Sequence, residues 1–127
     1  MRPISRSVHG AADYVIGIIL LIAPWIFAFH DAAAKGISIT FGAILILYSL
    51  LTDEGPALLR VLPFPLHRTF DFLLGVGLLF SFVIFDLTGR AAVVFAALGF
   101  FQIWSALAAQ GKFSPSGRDK PLAPWMK

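Results

Sequence analysis

Apolar residues along the chain gather into four long runs, Val8 to Phe29, Ile37 to Leu51, Phe70 to Phe85 and Ala91 to Ala109, parted by short stretches that hold most of the charges and prolines. A helix that crosses the hydrocarbon of a bilayer needs roughly 20 residues. Each run reaches that length once its weakly polar flanks are added, so the pattern predicts four membrane-spanning helices. The connection at 53–66 carries Pro56, Pro63 and Pro65 and sets Leu58, Leu59, Val61 and Leu62 around Arg60. It reads as a short amphipathic turn or helix lying along the membrane interface. The last stretch, 111–127, is rich in Pro, Gly, Ser and Lys and cannot bury a core of its own. Its basic residues suit an anionic membrane surface, with Trp125 as an interfacial anchor.

Composition sharpens this reading. Apolar residues make up 58% of the 127 and charged ones only 13%, with a mean hydropathy of +0.84, which leaves too little polar surface to coat a water-soluble core. The absence of cysteine excludes disulfides, thiolate metal sites and iron–sulfur clusters. The net charge of +3 comes with no base-reading motif, so no nucleic-acid partner is expected. Basic residues report orientation instead. Arg2, Arg6, Arg60, Arg68, Lys112, Arg118, Lys120 and Lys127 fall on one side of the predicted membrane, and Lys35 and Arg90 on the other. The positive-inside rule then sets both termini in the cytoplasm. Arg2 and Arg6 ahead of an apolar run resemble a signal peptide, but Asp13 inside that run and the recurrence of its motif downstream predict that the segment is retained.

That recurrence is an internal repeat. At an offset of 58, HGAADYVIG from His9 aligns with HRTFDFLLG from His67, so that His, Asp and Gly recur at identical spacing, and Phe27 falls on Phe85. Tyr48-Ser49 matches Trp104-Ser105 at an offset of 56, with the difference absorbed by a longer outer loop in the first half. The fold expected is all-α, a four-helix transmembrane bundle of two tandem parallel helical hairpins: repeat 1 at about 7–52, the connection, repeat 2 at about 67–110, and the tail. Both copies begin and end on the same face, so the pseudo-two-fold axis runs along the membrane normal.

With these features the sequence resembles the SPW-repeat family of small bacterial integral membrane proteins, whose unit is a helix pair with a Ser-Pro-Trp signature in its first helix. Ala23-Pro24-Trp25 holds that place in the first copy and Ser81-Phe82-Val83 in the second, so the first lacks Ser and the second lacks Pro and Trp. The resemblance spans nearly everything from Val8 to Ala109. It implies the fold and a location in the bacterial inner membrane, and it transfers no mechanism.

In a helix, residues at i, i+4 and i+8 share a face. His9, Asp13 and Gly17 form such a stripe, continuing towards Pro24, and His67, Asp71 and Gly75 form its counterpart. The glycines permit close helix packing, and the simplest assembly brings the first and third helices together with two His and two Asp about one turn inside the membrane. Ionisable groups there mark an ion path, a proton relay or a binding site, and the set of His9, Asp13, His67 and Asp71 is also a candidate ligand group for a divalent transition metal. The plainer alternative pairs each His with its own Asp, with Ser7 and Pro65 starting the helices. Pro24 frees a backbone carbonyl and kinks the first helix, placing Trp25 near the outer interface. Tyr48, Ser49, Gln102 and Ser105 either extend the polar cluster or bond to neighbouring helices.

No nucleophile arrangement, phosphate loop or nucleotide fingerprint is present. The expectation is a non-enzymatic membrane protein without a cofactor, assembling with itself or with another membrane protein in the bilayer. The alternatives are an oligomeric proton or cation transporter, and a redox subunit that holds a metal or haem.

Overall fold

A computed structural model of the protein describes residues 5–52, 58–59, 61–109 and 125. Of the predicted tail only Trp125 falls among them, and it is exposed. The centre of the connection at 53–57, Arg60 and Arg2 lie outside the described residues. Four helices follow one another: α1 (Arg6–Ile26), α2 (Ala32–Leu50), α3 (Phe64–Ile84) and α4 (Gly89–Ala108). All four are long and apolar enough to cross a membrane, and among the described residues there is no strand. The chain is a small polytopic membrane protein with an all-α bundle fold.

The first two helices start where the sequence supplies a side-chain partner for their first amides. Ser5, rather than Ser7, caps α1 by accepting from the Val8 amide. Asp31 caps α2 by accepting from Ala34. Pro63 precedes α3, and Pro65 sits in its first turn, where an amide hydrogen would be unused anyway. The third helix therefore opens before His67, and the connection is shorter than the apolar pattern implies. Its described part forms no helix. Leu58 and Leu59 amides donate to the Leu50 carbonyl, and Val61 and Leu62 amides to the Leu51 carbonyl, which satisfies the C-terminal end of α2.

The two hairpins are built alike. Buried positions in α1 (His9, Asp13, Ile16, Gly17, Leu20, Ala23) recur in α3 as His67, Asp71, Leu74, Gly75, Leu78 and Ser81, all at the offset of 58. Both first helices end in the same turn. Phe27 and Phe85 cap them, Ala28 and Asp86 adopt a positive φ of 52°, and the Phe29 and Leu87 amides reach back to Pro24 and Phe82 carbonyls. One residue is then missing from the second hairpin loop. The buried stripe of α2 (Ala34, Ser38, Gly42, Leu45, Tyr48, Ser49) recurs in α4 as Ala91, Phe95, Gly99, Gln102, Ser105 and Ala106 at an offset of 57. This corrects the offset of 56: Tyr48 corresponds to Ser105, not to the exposed Trp104.

Packing is tightest within each hairpin, α1 on α2 and α3 on α4, with α2 against α3 next. Gly17 and Gly75 set those hairpin crossings rather than a direct approach of α1 to α3. A methyl group built on Gly42 would lie 2.7 Å from the Gly17 carbonyl oxygen, and one on Gly99 would lie 2.9 Å from that of Gly75. Between the hairpins, Leu20, Leu45, Leu78 and Phe95 fill the centre and are fully buried. Ile18, Leu47, Phe80, Phe100 and Trp25 project outward to where lipid would lie. Pro24 is inside α1, and the Leu20 carbonyl it leaves unpaired accepts from Ser38 Oγ of α2, so the proline is matched to a neighbour.

Candidate functional site: a buried tetrad of two histidines and two aspartates

His9 and Asp13 lie on the first two turns of α1, and His67 and Asp71 on those of α3. At 1.5 Å of rise per residue each pair stands about 5 and 11 Å from the start of its helix. Equal depth on two facing helices is what a repeated His-x-x-x-Asp pattern produces when the repeats share an axis, and the four side chains meet at one point. His9 Nε2 is 2.6 Å from Asp71 Oδ2, and His67 Nε2 is 2.7 Å from Asp13 Oδ2. The contacts within each repeat are longer, 3.2 Å for His9 with Asp13 and 2.9 Å for His67 with Asp71. Each imidazole thus bonds most closely to the carboxylate of the other repeat, which corrects the reading that pairs each His with its own Asp. All four residues are 0–1% exposed.

The atoms pointing away from this meeting point are held too. Tyr48 O–H donates to Asp71 Oδ1 at 2.6 Å, and Gln102 Nε2–H to Asp13 Oδ1 at 3.1 Å. Ser105 Oγ lies 2.9 Å from His9 Nδ1, and Thr52 Oγ1 lies 2.8 Å from His67 Nδ1. Of the four polar residues singled out in α2 and α4, Tyr48, Gln102 and Ser105 extend the cluster; Ser49 is buried, and its hydroxyl has no hydrogen-bond partner among the described residues. Thr52 was not anticipated, because it follows α2 in the connection, where the apolar pattern gives no direction. Phe64 was also missed. It packs edge-on to His9 and stacks on His67, with ring centroids 5.7 and 6.1 Å apart, and closes the tetrad from the connection side.

Hydrogen bonding constrains the protons. The single hydroxyl hydrogen of Thr52 goes to the Tyr48 carbonyl, so Thr52 Oγ1 accepts from His67 and the ring carries a hydrogen on Nδ1. Its Nε2 faces carboxylate oxygens at 2.7 and 2.9 Å, where two lone pairs cannot oppose each other, so a hydrogen is shared between the ring and a carboxyl group. The result is a shared-hydrogen bond in place of a bare buried carboxylate.

The remaining predicted positions lie elsewhere. Trp25 is exposed near the hairpin-loop end, and Pro24 is buried within α1. His30, Asp31, Asp86 and Arg90 line a cup of about 420 Å³ at that same end, with Phe29, Ala34, Leu87 and Ala91 at its base. Because the lining comes from both hairpin loops, the cup straddles the pseudo-axis, with the buried Leu20 and Leu78 on the helices between it and the tetrad. Arg68 is not a free loop cation: its Nε–H donates to the Ala106 carbonyl near the C-terminal end of α4.

Comparison of the chain with family models, with curated proteins and with solved structures yields no match.

Proposed function

We propose that this chain is a non-enzymatic membrane protein in which the tetrad clasps two helical hairpins into one unit, and that the unit assembles with itself or with another membrane protein. The observation that carries this reading is that the tetrad's shortest bonds run between the repeats and that its atoms are spent on partners within the chain. Chemistry so enclosed holds the bundle together, and leaves the apolar outer faces, with Phe72, Phe80, Phe100 and Trp104 exposed, as the surface through which the unit acts. Resemblance to the SPW-repeat family supports the bacterial inner membrane as its location. The excess of Lys and Arg on the tetrad side supports cytoplasmic termini. Light scattering of the detergent-solubilised protein, together with crosslinking in native membranes, tests the reading: more than one copy per particle, or a reproducible crosslinked partner, is expected. A lone monomer with no partner in the membrane overturns it.

A second reading, an oligomeric proton or cation transporter, draws on one observation, the polar cup that sits on the same pseudo-axis as the tetrad. It predicts flux in proteoliposomes that Asp13→Asn abolishes while the fold is kept. Absence of flux in the wild-type protein removes it.

A further inference from the structure

The geometry points to the tetrad as a binding site for one divalent transition metal ion, zinc being the ion best suited to its donors. The ligands are His9 Nε2, His67 Nε2, Asp13 Oδ2 and Asp71 Oδ2. The inference rests on the clasp described above and names what can tighten it.

Three features carry it. Each residue turns one donor atom inward, and the four inward atoms lie within 4.8 Å of one another. A tetrahedral ion with bonds of about 2.0–2.2 Å spaces neighbouring donors at about 3.3–3.6 Å. The four His–Asp edges measure 2.6, 2.7, 2.9 and 3.2 Å, lengths set by shared hydrogens, so an ion in their place needs each of these to open by no more than about 1 Å and the two remaining separations, at most 4.8 Å, to close by no more than about 1.5 Å. Secondly, the outward atoms are fixed as metal sites require. Tyr48 and Gln102 donate to the far carboxylate oxygens, and Thr52 accepts from the far nitrogen of His67, which orients these three ligands and fixes the tautomer of His67. Thirdly, two carboxylates and two neutral imidazoles balance the charge of a divalent ion, so the loaded site carries no net charge into a low-dielectric interior. The donor set has no sulfur and mixes imidazole with carboxylate, which suits zinc.

The test uses the full-length protein, purified in detergent with a chelator and then freed of it. Zinc chloride is titrated calorimetrically in two buffers of different ionisation enthalpy. The expected result is one ion per chain, a Kd tighter than about 1 μM, and release of protons as the shared hydrogens leave. X-ray absorption of the loaded wild-type protein is expected to show four nitrogen or oxygen neighbours at about 2.0 Å, including imidazole. Asp71→Asn is expected to weaken binding by more than about 100-fold, whereas His30→Gln, at the other end of the bundle, leaves it unchanged. No saturable zinc binding by the wild-type protein overturns the proposal, as does binding that is lost with His30→Gln. If zinc fails to bind while His9→Ala and Asp71→Ala still lower the unfolding midpoint, the metal inference falls and the clasp stands. If zinc binds and those variants are as stable as the wild type without it, the clasp falls instead.

Discussion

In the first hairpin α1 contains Pro24 and α2 contains Ser38; in the second, the corresponding positions are Phe82 and Phe95. Pro24 removes an amide hydrogen and leaves the Leu20 carbonyl open, and Ser38 donates to it. Phe82 keeps its own amide, so nothing in α4 has to reach across, and the large ring of Phe95 fills that part of the core. The two halves preserve a requirement and not a residue: in lipid every backbone polar group needs a partner, and a helix that loses one recruits it from its neighbour.

The tetrad tells the same story at closer range. Its inner members are strict equivalents, His9 with His67 and Asp13 with Asp71, whereas the residues that hold them are not. Tyr48 holds Asp71, yet its counterpart Ser105 holds His9; Gln102 holds Asp13, yet its counterpart is the apolar Leu45. Four side chains must converge on one point, which leaves no latitude, while a donor to an outward atom can come from any nearby turn.

The strongest way to break this comparison is to truncate the inner members one at a time. His9→Ala and His67→Ala, or Asp13→Ala and Asp71→Ala, each break the buried cluster by removing one partner and are expected to cost about 3–5 kcal/mol. Equal losses within a pair, read from unfolding midpoints in mixed detergent, are expected of a symmetric clasp. Losses confined to His9 and Asp71, or to His67 and Asp13, would show that only one of the two cross-repeat bonds matters.

Next in size are the hairpin crossings. Gly42→Ala puts a methyl group 2.7 Å from the Gly17 carbonyl oxygen and 2.9 Å from the Leu21 amide nitrogen, backbone atoms that cannot yield alone. A loss of about 1–3 kcal/mol is expected. Gly17→Ala meets chiefly the side chain of Ile46, which can turn aside, so it should be the milder of the two in the same thermal scan.

A smaller effect separates the hairpins directly. Ser38→Ala strands the Leu20 carbonyl and is expected to cost about 1–2 kcal/mol. Placed in a Pro24→Ala background, where the helix satisfies that carbonyl itself, the same substitution should cost little; a double-mutant cycle without coupling would refute the pairing. Smallest of all, Ala28→Gly and Asp86→Gly relieve side chains held at a φ of 52° and are each expected to raise stability by about 1 kcal/mol. Their equality would show that the two hairpin turns are the same despite the one-residue difference in loop length.

Much of this was legible in the chain. Apolar runs set the four helices, and the doubled His-x-x-x-Asp pattern set the tetrad's members and their common depth. Gly42 and Gly99 went unnoticed, although small residues at Ala34, Ser38 and Gly42 lie at helical spacing and could have marked the inner face of α2. Thr52 and Phe64 gave no such signal, since both flank the proline-containing connection, where no period tells inside from outside. The mispairing of Tyr48 with Trp104 arose because two aromatic residues look alike in sequence, while burial separates them.

The sequence by itself determined the four membrane helices, their division into two like hairpins, and the equal depth of two histidines and two aspartates. These follow from local periodicity and from a repeat, properties that survive without any contact being known. Only the tertiary structure decided that the four side chains meet, which imidazole meets which carboxylate, which donors hold their outer atoms, and that the glycines serve the hairpins and not the axis. Those depend on how two helices are rotated against each other. Rotation is fixed by the fit of side chains from distant parts of the chain, and no period along one helix records it.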